Sequence, residues 1–416
     1  MSLLSSLSGQ ISQVRDGGLK IVFRKLRTLI TYLFNCVFGG AIVLVASLAR
    51  PFITIRFGSL FTSRIGHLAF NMDNYLASRR ARNSREWGVF KTDRHISNLT
   101  IFEHWRRQEH LLISNVAALP FFFLEKFFPD SPMLISYKKE LSYETAYDSL
   151  CSTSPSFFRF TAVEEQQGKK LLSDFGINGP FVCFHNRDSA YLSFFGDDGN
   201  LHDFRDFEFD DYRLAIESIV RLNIYALRLG EIVAKKSALD LPLFQELTGS
   251  KRRDFFEIYL MSKCLFFVGG NTGFSNVARI MRKPQLIVNF LPFRIRELTI
   301  YSENSLFIPK KLYKVKEGRY LRYREMNALP YDIHYKGDFF ADHGIRIENN
   351  TPEEIEDAVL EMHSRTEGSW VDSEAQQQLQ NQFWNSLGDE PGLNLLHRAL
   401  KSTISSTFLE RNRSLL

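Results

Sequence analysis

The chain has 416 residues, 44% hydrophobic and 24% charged, a composition that can bury a core and, at roughly 150 residues per domain, make two or three domains. It excludes a disordered chain, a peptide hormone and a disulfide-stapled miniprotein. The net charge of +5 is too mild to indicate a nucleic-acid partner, and it is unevenly spread: residues 1–60 hold Arg15, Lys20, Arg24, Lys25, Arg27, Arg50 and Arg56 against Asp16, which places +6 there and −1 on the remaining 356 residues.

Residues 29–49 form the longest uncharged run, 21 residues broken only by Thr31, Asn35, Gly39, Gly40 and Ser47. A helix of about 20 apolar residues spans a bilayer, and Lys20, Arg24, Lys25 and Arg27 just ahead of the run would keep the N-terminus cytoplasmic. The basic region is too long, and the run too late, for a cleaved signal peptide. Gly39-Gly40 also allows a bent, re-entrant or interfacial insertion on one leaflet, and a buried core helix is the third reading. Membrane attachment is the expectation, as a peripheral, monotopic or single-pass arrangement at the cytoplasmic face of the inner membrane.

Beyond Pro51 the pattern is that of a soluble α/β protein. A β-branched and aromatic strand is predicted at 52–57, a helix from His67 towards Tyr75, a strand at 87–90, and aromatic helices at 101–110 and 115–128. The phenylalanine-rich part of the last reads as core or as a second patch facing membrane or acceptor. Strands at 181–185, 224–229, 265–268 and 285–290 then alternate with helices at 211–221, 254–262 and 274–281, the signature of a parallel sheet covered on both faces. A final unit runs from Ile345-Arg346-Ile347 into Thr351-Pro352-Glu353-Glu354, a capping box with proline at the first helical position, and the helix should reach Met362. C-terminal helices are expected over 373–403, broken at Gly388–Gly392. The four cysteines, Cys36, Cys151, Cys183 and Cys264, are scattered, with no metal-like spacing; they read as small buried hydrophobes.

Ligands of open parallel sheets bind beyond the carboxyl ends of the strands, and three such ends carry chemistry. His185-Asn186-Arg187-Asp188 follows a buried strand, and its arginine offers a donor fork suited to phosphate. Arg228-Leu229-Gly230 ends the next strand and would add to the positive field. Val268-Gly269-Gly270-Asn271-Thr272-Gly273-Phe274-Ser275-Asn276 takes a strand through a glycine-rich turn into a helix, which presents backbone N–H groups and the helix dipole to an anion. It has neither the Gly-Lys-Ser/Thr of a P-loop nor the spacing of a dinucleotide-binding turn.

The succession His185-x-Arg187-Asp188-Ser189-x-Tyr191-Leu192, His202-Asp203-x-Arg205, Asp210-x-Tyr212, Arg228-x-Gly230 and strand–Gly269-Gly270-Asn271-Thr272-Gly273–helix resembles a family of bacterial glycosyltransferases of capsule and O-antigen loci. The resemblance covers mainly 180–292, with a weaker echo at Arg56-Phe57-Gly58 and Arg64–Leu68. More distantly the chain is similar to GDP-fucose-type fucosyltransferases and to heptosyltransferases, but Asn276 stands where heptosyltransferases carry a histidine.

The resemblance implies an α/β protein of two facing Rossmann-like domains (GT-B-like), with an N-terminal membrane-associating segment at 1–50, an acceptor domain at 51–165, a nucleotide-sugar domain at 166–368 and C-terminal helices at 369–416. His185, Arg187, Asp188, Arg228, Gly230, Gly270, Asn271, Thr272, Gly273, Ser275 and Asn276 would bind the donor. No Asp-x-Asp element stands at a strand end, so the arginines and a helix N-terminus would stabilise the departing diphosphate, with no metal and no cofactor beyond the nucleotide-sugar itself. The acceptor hydroxyl needs a base from the first domain; His67 is the first candidate and Asp73 the second. The expected activity is transfer of a sugar to a lipid-linked or polysaccharide acceptor at a membrane surface. A nucleotide-sugar epimerase or hydrolase on the same fold and a non-catalytic glycan-assembly subunit are the alternatives.

Overall fold

The computed structural model describes residues 3–141, 155–187, 190, 202–294, 304–330, 338–387 and 402–416. The chain opens with one unbroken 46-residue helix, α1 (Leu3–Leu48), about 69 Å long at 1.5 Å per residue. Its stretch Val22–Leu48 is long and apolar enough to cross a membrane, by length and composition. There follow β1 (Ile55–Leu60), α2 (Ile65–Ala81), β2 (Trp87–Thr92), α3 (Leu99–Arg106), β3 (Leu111–Ile113) and α4 (Ala118–Phe127). The strands form a parallel sheet in the order β1-β2-β3, with Phe57 opposite Val89 and Val89 opposite Leu112.

Gly39 and Gly40 do not interrupt α1. They let it approach α4: a Cβ on Gly39 would lie 2.4 Å from the Leu119 carbonyl oxygen, and one on Gly40 3.1 Å from the Phe123 ring. The phenylalanine-rich helix thus lies between α1 and the first sheet, with Leu124 buried among Ala46, Phe57 and Met133, and Phe122 edge-on to Tyr32 at 5.6 Å.

The second sheet is built from α5 (Ala162–Asp174), β4 (Phe181–His185), α6 (Arg213–Arg221), β5 (Tyr225–Gly230), β6 (Phe244–Thr248), α7 (Asp254–Lys263), β7 (Phe267–Gly269), α8 (Ser275–Ile280), β8 (Gln285–Phe290) and β9 (Leu306–Pro309). Then come β10 (Lys311–Lys314), β11 (Arg319–Tyr320), α9 (Tyr323–Asn327), α10 (Asp338–Asp342), β12 (Ile345–Glu348), α11 (Pro352–Thr366), α12 (Glu374–Ser386), β13 (Thr403–Ile404) and α13 (Ser406–Arg411). The seven-stranded order is β13-β9-β8-β7-β4-β5-β6, every pair parallel. Every residue of β8 is buried, as expected of a strand covered on both faces. The chain leaves β4 towards β5 and β6, then returns to lay β7, β8 and β9 on the other side. The topological switch therefore falls between β4 and β7.

Several elements differ from the sequence reading. The strand expected at 52–57 is Ile55–Leu60, because the chain turns around Pro51 first. The expected helix at 101–110 stops at Arg106. His110 takes a left-handed conformation (φ 56°), and the next three residues pair with Gly88–Phe90 as β3. Ile345–Glu348 does not extend the parallel sheet; it pairs antiparallel with β10 in a small sheet of order β11-β10-β12. The capping box forms at Thr351, and α11 runs past Met362 to Thr366. The expected break at Gly388–Gly392 and Cys151 lie outside the described residues.

The two large sheets share one core, in which Leu68, Met72 and Leu76 of α2 pack with Leu227, Val277 and Ala278 of the second sheet's layer. Arg282 Nη1 and Nη2 donate to the two Asp73 carboxylate oxygens (3.0 and 3.1 Å), and Leu99 N donates to Asp254 Oδ2 (3.1 Å). The sheets are therefore joined through α2 and α8.

Candidate functional site

The switch point places the carboxyl ends of β4 and β7 side by side, with His185 opposite Gly269. Open parallel sheets bind ligands at this position, because the diverging connections leave a crevice there. The His185 ring stacks on Phe274 at 5.0 Å, and its Nδ1 is buried without a hydrogen-bond partner. Burial and, next, the Arg228 charge push its pKa down to about 4. At neutral pH it is an uncharged imidazole suited to a hydrogen bond rather than a cation for phosphate. Gly230, at the end of β5, has φ 152°, and a Cβ there would come within 3.9 Å of His185 Cδ2.

The arginines named from the sequence divide. Arg187 follows the crevice strand directly; it pairs with Asp206 and donates from Nη1 to the His202 carbonyl oxygen (2.9 Å). Arg228 is 1% exposed. Its guanidinium donates to the Lys235 carbonyl (2.9 Å), to Glu246 (3.3 Å) and to Asn186 Oδ1 (3.4 Å), and it lies 4.0 Å over the Phe209 ring. It therefore braces β5 against its neighbours instead of facing a diphosphate. Asp188 lies outside the described residues, as do Ser189 and Tyr191.

Lys310 joins this region from outside the sequence motifs. It follows β9 and is 2% exposed, with Nζ donating to the Asp206 carbonyl oxygen (2.9 Å). Burial lowers its pKa to about 8, against the pull of Asp206 and Asp211. Arg187, Asp206 and Lys310 thus form one cluster beside the strand ends. The available signal was a lysine directly after the apolar run Leu306-Phe307-Ile308-Pro309.

The glycines of the turn make room for protein. A Cβ on Gly270 would lie 3.0 Å from the Phe207 ring, and one on Gly273 3.0 Å from the Gly66 backbone nitrogen. Conversely, a Cβ on Gly66 would lie 2.6 Å from Gly273 Cα. The absence of side chains at these glycines thus serves close packing, whatever the turn's N–H groups face. Ser275 is turned inward, 1% exposed, donating to the Thr272 carbonyl oxygen (2.6 Å), while Phe274 N donates to Thr272 Oγ1 (3.2 Å). Asn276 is 3% exposed against Gly66. Asn271 and Thr272 remain half-exposed at the crest. The helix after the turn, α8, is only six residues long, so few peptide dipoles align behind it.

His67 sits in the first turn of α2, 5.6 Å from the Phe61 ring and 6.3 Å from Tyr137, with its pKa lowered by burial and by Arg64. Its neighbour Gly66 touches Gly273, and the residue after Gly273 stacks on His185. His67 and His185 thus belong to the two sides of one seam. Asp73, the second base candidate, is fully buried with both oxygens held by Arg282. That ion pair joins the two sheets, and the carboxylate is buried away from solvent. Arg56 is likewise structural, paired with Glu86 and Glu140.

Among the described residues no group of three or more His, Cys, Asp or Glu is placed to hold a metal ion. A cavity of about 640 Å³ opens at the carboxyl ends of β2 and β3, lined by Lys91, Asp93, Arg94, Phe102, Arg106 and Asn115 among others.

No family model and no curated protein matches the chain. Among solved structures it is similar to a glycosyl transferase family 9 protein from Veillonella parvula (10% identity, 56% of this chain and 80% of the other, TM-score 0.38). It is also similar to E. coli ADP-heptose LPS heptosyltransferase II (13%, 66% and 95%, TM-score 0.37) and to E. coli heptosyltransferase WaaC with ADP (14%, 61% and 90%, TM-score 0.34). At TM-scores this low, none of the three lends weight to a functional assignment for this chain.

Proposed function

We propose that the protein is a glycosyltransferase that moves a sugar from a nucleotide-sugar, bound at the β4–β7 switch point, to a lipid-linked or polysaccharide acceptor presented from the first sheet. The observation that carries this reading is the seam at Gly66 and Gly273. It brings the first turn of α2, with Arg64 and His67, against the turn that follows β7 at the switch point. Neutral His185, with its unpartnered Nδ1, would hydrogen-bond the donor, and Asn271 and Thr272 would offer polar contacts from the crest. Arg187, oriented by Asp206, supplies positive charge near the departing diphosphate, a task that protein groups would perform in place of a metal. His67, kept unprotonated by its lowered pKa, is the proposed proton acceptor. The long apolar helix and its basic flank would hold the enzyme at the cytoplasmic face of the inner membrane.

The test is thermal melting of the full chain with UDP-, GDP-, ADP-, CMP- and dTDP-sugars. A ligand at 100 times its Kd stabilises the native state by about 2.7 kcal/mol. At least one member is expected to raise the Tm, and His185→Ala to abolish the rise while the unliganded protein still melts cooperatively. No rise with any member would overturn the proposal. A second reading, a glycan-assembly subunit without transferase activity, is favoured by the packing of Phe207 against Gly270 of the turn. It requires the same panel to give no shift.

A further inference from the structure

The cavity beyond β2 and β3 presents surplus positive charge. Its carboxylate is already occupied: Asp93 Oδ2 accepts from Thr62 N (3.0 Å), Ser63 N (3.2 Å) and Ser63 Oγ (2.9 Å). Its cations are not matched in the same way. Arg94 is exposed and makes no ion pair among the described residues. Lys91 lies 5.2 Å over the Phe121 ring with no carboxylate partner among them. Among the described residues Arg106 pairs only with Glu103, both side chains 52% exposed, a contact of little strength in water. Strand ends of a parallel sheet are where ligands enter, and Ile96, Phe102 and Ile113 give this cavity an apolar floor.

The surroundings define the ligand further. Ala118, the first residue of α4, forms one wall, and Phe121 of α4 carries the Lys91 ammonium. On its other side α4 packs on α1, whose Leu44, Val45 and Leu48 are 60–70% exposed. Phe128, directly after α4, is 52% exposed and Phe52, after α1, 93%. A cationic pocket therefore lies on one side of α4 and exposed apolar residues of α1 lie beyond the other. The pocket also adjoins the seam, because Asp93 holds Thr62 and Ser63 a few residues ahead of Gly66.

We propose that this cavity receives the phosphate-bearing head of an amphiphile whose apolar chain lies along α4 and α1. The inference rests on the proposed function only in making this amphiphile the acceptor; the binding site stands on its own geometry. The purified full chain is titrated with decyl phosphate, inorganic phosphate and decanol. Decyl phosphate is expected to bind at least tenfold more tightly than either of the others. The Arg94→Ala/Arg106→Ala double variant is expected to lose at least tenfold of that affinity, with Tm and nucleotide-sugar binding unchanged; Lys91→Gln serves as an independent second variant. Equal affinity for decyl and inorganic phosphate would reduce the cavity to a free-anion site. Equal affinity for decanol, or no loss in either variant, would leave only unspecific apolar binding; each of these results overturns the proposal. Decyl phosphate binding that persists when no nucleotide-sugar shifts the Tm would remove the transferase reading and keep this site.

Discussion

His185 and His104 have pKa values pushed down to about 4, in both cases chiefly by burial. His104 is 4% exposed and stacked on Phe158 at 3.9 Å. Unfolded, both rings titrate near 6.5, so between about pH 6.5 and 4 the unfolded chain binds more protons and stability falls as the pH drops. Each ring is worth on the order of 2–3 kcal/mol by pH 4. Melting temperatures measured across this window should decline less steeply for His104→Gln than for the parent chain; parallel curves would refute the assignment. Asp73 offers a second residue-scale test. Removing one partner of a buried ion pair costs about 3 kcal/mol or more, so Asp73→Asn should lower the unfolding free energy from urea titration by that amount. Replacing both partners (Asp73→Leu with Arg282→Met) should recover most of it. If Asp73→Asn were as stable as the parent chain and inactive, Asp73 would return as a base. At this scale the sequence marked the right strand ends but not the state of each side chain. Arg187 and Arg228 both stand near strand ends in the sequence, yet only the contacts with Glu246, Asn186 and Phe209 show that Arg228 is held inside the fold.

Elements were legible where local signals were strong. The runs at 181–185 and 285–290 match β4 and β8, and the Thr351 capping box starts α11 where its residues require. Elements whose pairing is non-local were missed. β3 is a three-residue strand made by its register with Gly88–Phe90, and β6 has too few apolar residues for a periodic signal. The glycine pair in α1 illustrates the same limit: a bend and a close helix contact require the same residues, and only the position of α4 decides between them. Gly39→Leu would drive a side chain into the Leu119 carbonyl, and overpacking of this kind costs typically 1–3 kcal/mol. Limited trypsin digestion should then cut faster at Lys126 than in the parent chain, whereas an unchanged rate would mean that α4 does not depend on this contact.

At the scale of the whole molecule, the proposed membrane attachment would use the basic flank and the apolar helix together. Juxtamembrane cations contribute about 1 kcal/mol each near an anionic surface. Replacing Arg24, Lys25 and Arg27 by glutamine should therefore weaken co-sedimentation with anionic vesicles by roughly 100-fold at low salt. Binding that is equal for the variant, or equal on zwitterionic vesicles, would limit attachment to the apolar face alone. Because α4 packs against Gly39 and Gly40, well inside the apolar stretch, the first sheet and its cationic cavity stay close to whatever surface α1 occupies.

The sequence by itself determined the unequal division of charge, the long apolar helix, the alternation of buried strands and helices, and the strand ends that carry polar residues. These follow from local composition and period, which each segment holds without its neighbours. Only the tertiary structure decided the strand order that puts the switch point between β4 and β7, the pairing of Asp73 with Arg282, the burial of Arg228, and the use of Gly66, Gly270 and Gly273 for close packing. Each of these depends on residues distant in the chain meeting in space. A buried charge or a missing Cβ takes its meaning from the group placed against it.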